Sequence, residues 1–528
     1  LKSMPEVLIV GAGPTGLVLA LWLTRLGVRV RIIDKAAEPA MSSRALAVQA
    51  RTLELYAQMG LADAVLERGR RALAANVWVT GRRVAHAALG NMGEGLSPYP
   101  FALIYPQDEH ERFLISHLRE AGVDVERRTE LAIGPQSLRS SEQDGSIVVR
   151  LRRPDGSEET CEIAYLAGCD GARSAVREGL GVGFSGGTYE HLFYVADVEA
   201  TGAAANGEIN VGFDRSEFLA VFPLRDPGRI RLVGTIRDDP GGRRETLEWA
   251  DVNQQVISWM QIEVARVNWF STYRVHHRVA SRFRHGRAFL LGDAAHVHSP
   301  VGGQGMNTGI GDAVNLSWKL AAVLHRQADA AILDSYETER IAFARRLVAT
   351  TDQAFTAVTS STPIARAIRL HLVPLVVPAF FAFRVARRFA FRTVSQILIN
   401  YRGSMLSEGR AGEVHGGDRL PWVRVSPDSA STSSGRRDTD NFASLKSLDW
   451  QVHVYGDASP EIAATCEQRG LPLRAFGWSA AMEAAGLQRN ALYLIRPDGY
   501  VALAAEPQSD STALASYLDA RNIQIRPH

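Results

Sequence analysis

The opening of the chain restricts its fold more than any other stretch. Val7-Leu8-Ile9-Val10 is a short apolar run with no polar side, as a strand buried on both faces requires. Gly11-Ala12-Gly13-Pro14-Thr15-Gly16 follows at once, and Leu17 to Leu26 carry helical spacing that Gly27 ends. A second strand, Val28 to Asp34, finishes on an acid. Strand, glycine turn, helix, strand and terminal carboxylate within one βαβ unit predict a Rossmann-like α/β domain. In such a unit Gly11 permits the tight bend, Gly13 lets a pyrophosphate approach the backbone, and Gly16 lets helix pack on strand. Pro14 and Thr15 lie in the turn that leads into the helix and are candidate cofactor contacts; the unpaired N–H groups and dipole of the helix N-terminus favour phosphate. Asp34, with Lys35 beside it, is placed to accept a ribose hydroxyl, and an acid there disfavours the 2′-phosphate of NADP. A dinucleotide is expected; this turn alone does not separate FAD from NAD.

The rest of the composition narrows the class. With 528 residues, 46% hydrophobic and 22% charged, the chain reads as an ordinary globular protein of two or three domains. A net charge of +2 gives no sign of a nucleic-acid partner. Cys161, Cys169 and Cys466 are the only cysteines; they form no CxxC pair and no metal-ligand spacing, so a reducing, cytoplasmic setting and no metal are expected. No signal peptide is read at the N-terminus, and Leu1-Lys2-Ser3 before Met4 reads as a cloning remnant. The apolar stretch around Leu370 to Phe383 is shorter than a membrane span and is interrupted by Pro374 and Pro378. It predicts a buried or lid-like kinked helix. Arg366, Arg369, Arg384, Arg387 and Arg388 around it read as a solvated basic face, with a peripheral membrane contact as the alternative.

Further along, Ile147 to Leu151 and Glu162 to Leu166 flank a Pro154-Asp155-Gly156 turn, and residues 190–280 are rich in strand pattern. Helical pattern returns after Gly311 and runs to about residue 400. Residues 403–445 are rich in Gly, Ser, Asp and Arg and predict a flexible linker, most polar from Ser431 to Asp440. Val452 to Tyr455, Ala491 to Ile495 and Val501 to Leu503 are strands of a small α/β unit. The expected division is a first part of the nucleotide domain at 4–185, a middle β-sheet substrate domain at 186–280, a second part with a helical region at 281–402, the linker, and a C-terminal domain at 446–528.

The second informative stretch runs from Arg287 to Gly309. Phe289-Leu290-Leu291 is a buried strand that stops at Gly292-Asp293, where a carboxylate can accept a ribityl hydroxyl proton. Pro300-Val-Gly-Gly303-Gln304-Gly305 then opens a helix near Met306 and Asn307. A flavin gains negative charge at N1 and O2 on reduction, and N–H groups at a helix N-terminus are a fixed stabiliser for it.

With these residues the chain resembles the class A flavoprotein monooxygenases, the para-hydroxybenzoate hydroxylase-like aromatic hydroxylases. The Gly11–Gly16 turn, Cys169-Asp170-Gly171-Ala172-Arg173-Ser174-Ala-Val176-Arg177 and Gly292-Asp293 with its glycine-rich turn match in the family's order. Asp312 to Leu320 and Tyr336 to Arg340 are also similar, and the match covers about residues 5–350. The C-terminal region resembles the thioredoxin-like domain of the phenol and polyketide hydroxylase branches, without the redox CxxC. The resemblance implies non-covalent FAD, NAD(P)H as a transient electron donor, and O2. It implies hydroxylation of an aromatic, phenolic or polyketide-like substrate through a C4a-hydroperoxyflavin. Baeyer–Villiger oxygenation on the same fold, or a flavin-bound protein that holds a ligand without turnover, are the alternatives; a plain NAD-dependent dehydrogenase ranks third. Carried over by position, Gly11, Gly13, Gly16 and Asp34 hold the ADP half. Arg44 and Gln107 contact the diphosphate and ribityl regions. Asp170 sits where FAD phosphates and NAD(P)H pass, and Asp293 meets the ribityl chain. Met306 and Asn307 offer backbone N–H groups to flavin O2, and Pro300 lies beside the reacting ring. Phe222, with Pro223, is a candidate lining of the substrate pocket. His296 reads either as a structural hydrogen-bonder or as a functional residue, His298 as structural and Trp318 as core, and no catalytic side chain is nameable. A monomer or homodimer is expected.

Overall fold

The computed structural model describes residues 5–39, 45–132, 138–140, 145–213, 218–236, 247–359, 362, 367, 368, 372–425, 440–507 and 510–525. Strand β1 (Val7–Val10) is wholly buried and lies in the middle of a six-stranded sheet. It pairs in parallel with Tyr165–Gly168 on one side and with β2 (Val30–Asp34) on the other. Ala288–Leu290 extends the parallel set beyond Tyr165–Gly168, and Val125–Arg127 extends it beyond β2. The apolar runs therefore occupy central positions with helices on their faces, as a parallel sheet demands. Helix α1 (Pro14–Arg25) connects β1 to β2, and its residues Leu17 to Leu23 are buried. Helix α2 (Ala50–Gln58) and helix α3 (Gly305–Leu324) pack into the same core.

A second, eight-stranded sheet is built around two long strands, Phe184–Gly202 and Ile262–Ala280, which run antiparallel. It draws two further strands, Ala74–Val79 and Arg82–Ala88, from the part of the chain expected to be nucleotide domain alone. Its period-two pattern separates the faces. On one face Tyr194, Ala196, Val198, Leu219, Val221 and Leu232 are covered by Val256, Ile257 and Met260. On the other, Val195, Ala220 and Val233 are joined by half-buried Phe218, Phe222, Trp269 and Tyr273.

Two expectations fail here. Residues 403–425 are not a flexible linker: Glu408–Ala411 pairs with Val501–Ala505, and Ala411, Val414, Leu420 and Val423 are core. Gly412, Gly416 and Gly417 mark tight turns between buried apolar positions, while Arg410 lies in the strand and the buried Arg419 pairs with Glu54. The polar run from Ser431 lies outside the described residues up to its last member, Asp440. Of the apolar stretch near 370–383, expected as a buried or lid-like kinked helix, the described residues Leu372, Val376, Phe380 and Phe383 are exposed, so the buried alternative fails. Helix α4 (Val373–Ala382) stops at Phe383, whose backbone is extended, and helix α5 (Arg384–Val394) begins there. No other element among the described residues covers Val376, Phe380 and Phe383. Arg366 and Arg369 lie outside the described residues. Among the described residues no helix is long and apolar enough to cross a membrane.

The C-terminal part forms a mixed six-stranded sheet. Gln451–Tyr455 is parallel to Leu473–Phe476 and antiparallel to Leu492–Ile495. Helices Pro460–Arg469 and Asp510–Ala520 complete it.

Candidate active site

The first glycine turn is closed by contacts that only glycine allows. Gly11 has φ +103°, and a Cβ there would stand 2.3 Å from the Cys169 carbonyl oxygen. A Cβ on Gly16 would stand 2.0 Å from the Gly11 oxygen, so strand and helix touch. Gly13 differs: a Cβ there would meet nothing within 4 Å. The open space lies at the N-cap of α1, which has no side-chain cap and no acid in its first turn. That end of the helix therefore keeps N–H groups without a side-chain cap and an uncompensated positive dipole beside open space, which suits a diphosphate. Asp34 braces the turn: its Oδ2 accepts from the Ala12 N–H (2.7 Å) and its Oδ1 from the Ala36 N–H (2.8 Å). Each oxygen retains a lone pair for a ribose hydroxyl. Lys35, next along, is exposed.

The second segment is built differently. Gly292 (φ +57°) and Asp293 form a single tight turn after Ala288–Leu290, with Asp293 exposed. Gly302 and Gly303 both have positive φ, and α3 begins at Gly305 without a side-chain cap or a first-turn acid. Thr15 joins the two turns. A Cβ on Gly292 would stand 2.7 Å from Thr15 Oγ1, and one on Gly309 2.3 Å from it. The ends of α1 and α3 thus abut, and both present uncapped N-termini.

Buried polar groups hold this second segment. The Asn307 Oδ1 accepts from the Gln49 N–H (2.9 Å) and the Thr52 hydroxyl (2.7 Å), while its Nδ2 donates to the Ala47 and Gly303 carbonyls (both 2.8 Å). Gln49 Nε2 donates to the Gly302 carbonyl (3.0 Å). One turn further along α3, the buried Asp312 carboxylate accepts from the Gly292 N–H (2.9 Å), from His296 Nε2 (2.7 Å) and from Arg340 Nε (2.6 Å). Burial alone would raise that carboxyl; the Arg340 guanidinium, with His296, outweighs it and holds the group below its ordinary range. Arg340 also donates to the Thr308 carbonyl (3.0 Å) and the Tyr401 hydroxyl (2.9 Å).

The Asp170 motif lies against the first turn, since a Cβ on Gly11 would come within 2.8 Å of the Asp170 Cα. Asp170 accepts from the Ser174 hydroxyl (2.5 Å) and the Val176 N–H (3.1 Å); the N-cap of helix Ala175–Gly179 is Ser174 itself, whose hydroxyl oxygen accepts from the Arg177 N–H (3.0 Å), so Asp170 braces the cap. Burial raises its carboxyl above the ordinary range despite those donors. Arg177 donates to the Ala294 carbonyl (3.0 Å), which ties this motif to the second segment.

The structure therefore brings together Gly11, Gly13, Pro14, Thr15, Gly16, Asp34, Asp170, Gly292, Asp293, Gly303, Gly305, Met306 and Asn307. Gln107 stands at the start of helix Gln107–Glu120, its N–H bonded to the Ala45 carbonyl (3.0 Å) and its Nε2 to Glu111 (2.8 Å). Pro300 is exposed before the second turn. Arg44 lies outside the described residues. Phe222 packs half-buried against Leu46, Ala72 and Ile104, next to the Ala47 that carries the second turn. His298 is half-buried, its ring desolvated enough to lower its pKa to about 4, and its Nδ1–H donates to the Ser299 carbonyl (2.8 Å). Trp318 is core, and its indole N–H also reaches Asp498 (3.1 Å). Gln49, Thr52, Asp312 and Arg340 were not singled out from sequence as holders of the site. The Asp-Ala-Val-Asn and Glu-Thr-Glu-Arg segments around Asp312 and Arg340 were the signal available.

A family model described as "FAD binding domain" matches residues 4–351. A 6-methylpretetramide 4-monooxygenase from Streptomyces rimosus is 34% identical over 98% of this chain and 94% of its own. The solved OxyS anhydrotetracycline hydroxylase from Streptomyces rimosus superposes with a TM-score of 0.76 at 27% identity, covering 99% of each chain. A flavin-dependent monooxygenase, PieE, solved with FAD and substrate, reaches a TM-score of 0.81 at 21% identity over 99% of this chain and 100% of that one, which establishes shared fold.

Proposed function

The chain belongs to the FAD-binding-domain family, and from that premise we propose that it is an NAD(P)H-dependent flavoprotein monooxygenase that places one atom of O2 on an aromatic substrate. The observation that carries this reading is the meeting of two uncapped helix N-termini, α1 and α3, at Thr15, with open space at Gly13. One anion-binding end suits the diphosphate and the other suits the pyrimidine edge of a flavin. The residues present fit FAD: Gly11, Gly13, Pro14, Thr15, Gly16, Asp34 and Lys35 would hold the ADP half. Arg44, Gln107, Asp170, Gly292 and Asp293 would hold the diphosphate and ribityl chain, and Pro300, Gly303, Gly305, Met306 and Asn307 the ring. When bound, FAD supplies the electron transfer and oxygen activation that side chains cannot.

The protein's own part is to position, polarise and exclude water. The Asn307 clasp fixes the first turn of α3, so its N–H groups need no reorganisation as charge develops before them. The open face of the eight-stranded sheet, with Phe218, Phe222, Trp269 and Tyr273, offers a flat apolar wall for an aromatic substrate. Its breadth, together with the names of the relatives, supports a polycyclic, polyketide-like substrate. We read residues 446–528 as a thioredoxin-like unit without thiol chemistry: strand order and helix placement support it, and the described cysteine there, Cys466, is buried and without a disulfide. A cytoplasmic location and the domain division expected from sequence belong to the same proposal, except that residues 403–425 join the C-terminal part and Ala74–Val79 and Arg82–Ala88 join the middle sheet.

Asp293→Ala tests the assignment. The side chain is exposed, so the variant is expected to fold with unchanged circular dichroism while losing FAD on gel filtration. A variant that stays fully loaded with flavin would remove the second segment from the site. On the parent protein, aromatic compounds are screened for stimulated NAD(P)H oxidation with 18O from O2 in the product. Ligand binding with neither signal would make it a flavin-bound trap, and an ester product would make it a Baeyer–Villiger oxygenase.

A further inference from the structure

From Leu372 to Val394 the only residues that are not apolar are Arg384, Arg387, Arg388, Arg392 and Thr393. From 353 to 407 the sequence holds no Asp or Glu at all, in a chain whose acids and bases otherwise nearly balance at 57 and 59. In the fold this composition becomes a surface. Phe383, Val385 and Phe389 are 67%, 80% and 61% exposed, and Leu372, Val376 and Phe380 are exposed beside them. Single exposed apolar residues are ordinary, but a contiguous set of this size marks an interaction face. The face is firmly attached. Phe391 packs with Ala50 and Ile397, and Arg388 Nη1 donates to the Glu94 carbonyl (3.2 Å). The nearest acid among the electrostatic neighbours of Arg392 is Asp418, which Arg402 already engages at 2.7 Å.

We propose that α4 and α5 form a docking surface for an anionic lipid bilayer, on which the protein lies without crossing. The reasoning is charge complementarity combined with side-chain chemistry. A second copy of the chain fits poorly, because a two-fold contact of this face with itself would set arginine against arginine. A bilayer surface takes both components at once: phosphates accept from the guanidinium groups, and the phenyl and aliphatic tips enter the headgroup–acyl boundary. The α5 helix has the required layout, with Arg384, Arg387 and Arg388 interleaved with Val385 and Phe389 on a short amphipathic turn pattern. The inference does not depend on the flavin reading.

The test is flotation of the full-length, flavin-loaded protein with two kinds of vesicle, phosphatidylcholine alone and phosphatidylcholine mixed with phosphatidylglycerol. Flotation is expected with the anionic vesicles and not the neutral ones, and is reversed by about 0.5 M salt. The double variant Arg384→Gln, Arg387→Gln should weaken it about thirtyfold. The triple variant Phe383→Ser, Val385→Ser, Phe389→Ser should abolish it, with circular dichroism and bound flavin unchanged. Equal binding to neutral vesicles, no flotation, or variants that float like the parent would overturn the proposal. So would a dimer that the same variants split, which would assign the face to a second copy. Soluble polyglutamate that binds as tightly as the vesicles, and is unaffected by the triple variant, would assign it instead to an acidic protein.

Discussion

The two glycine turns have the same task and are held in opposite ways. The first, Gly11 to Gly16, is fixed by backbone contact: the atoms that forbid a side chain at Gly11 and Gly16 belong to Cys169 and to Gly11 itself. The second, Gly302 to Gly305, is fixed by side chains from distant parts of the chain. Asn307 reaches Gln49, Thr52 and Ala47, and Asp312 reaches Gly292, His296 and Arg340. A local turn with steric walls has one conformation. A turn held by a polar clasp has the conformation the clasp allows, and can be loosened one partner at a time. The difference implies that damage to the first turn abolishes the fold, and that damage to the second is graded.

The largest effect is expected at Gly16→Ala. The Cβ of an alanine there would stand 2.0 Å from the Gly11 carbonyl oxygen, a backbone atom that cannot swing away. We expect a loss above about 4 kcal/mol, read as failure to recover folded, flavin-bearing protein. Next comes Arg340→Met. It leaves Asp312 buried without its main counter-charge, which costs about 3–5 kcal/mol in comparable buried pairs. The expected result is a lowered denaturation midpoint together with loss of FAD. An Arg340→Met protein as stable as the parent would show that the second turn, like the first, is held locally.

Asn307→Ala should cost less, about 2–3 kcal/mol, because the partners it leaves are neutral and the cavity can admit water. Its sharper signature is flavin affinity, which should fall more than stability does, measured by fluorescence of released FAD. Acid gives a milder handle on the same clasp. Asp312 is held below its ordinary carboxylate value by Arg340 and His296. Its contribution is therefore complete above the unfolded-state pKa of about 3.9 and is lost as pH falls through the lower folded value. Flavin release attributable to this group should begin only below about pH 4. Release that sets in between about pH 5 and 7 would point to histidine instead.

The same contrast explains what was legible in the sequence. The first turn was readable because its glycines and the acid that braces it, Asp34, lie within one βαβ unit; the walls that Cys169 and Asp170 place around Gly11 come from a strand end distant in sequence and were not needed to recognise it. Gly292-Asp293 and the start of α3 were readable for the same local reason. The clasp was not, because Gln49 and Thr52 stand some 255 residues from Asn307, and nothing in their own neighbourhood distinguishes them from any polar residue at a helix start. Arg340 is an ordinary helical arginine until the fold sets it against Asp312. Residues 403–425 misled for a related reason: the glycine content described the turns and hid the buried Ala411, Val414 and Leu420 between them, and Arg419 reads as polar surface until the fold sets it against Glu54. The exposed α4 and α5 misled in reverse, since an apolar run predicts burial and says nothing about whether a partner element exists within the chain.

The smallest expected change in stability separates architecture from function within the first turn itself. Gly13 is the one glycine of the three with room for a side chain, and as N-cap of α1 its backbone is extended, with φ −77° and ψ 179°, which any residue adopts. Gly13→Ala should therefore shift unfolding by under about 1 kcal/mol, the usual difference between glycine and alanine at an N-cap. FAD retention should nevertheless collapse, because a methyl group would occupy the space through which a diphosphate approaches the helix end. Equilibrium unfolding and flavin content measured on the same sample decide it. If both survive, the open space beside Gly13 is not where phosphate binds. If both are lost together, Gly13 acts as a structural glycine like Gly11 and Gly16, and the steric freedom at its Cβ does not describe the folded protein in solution.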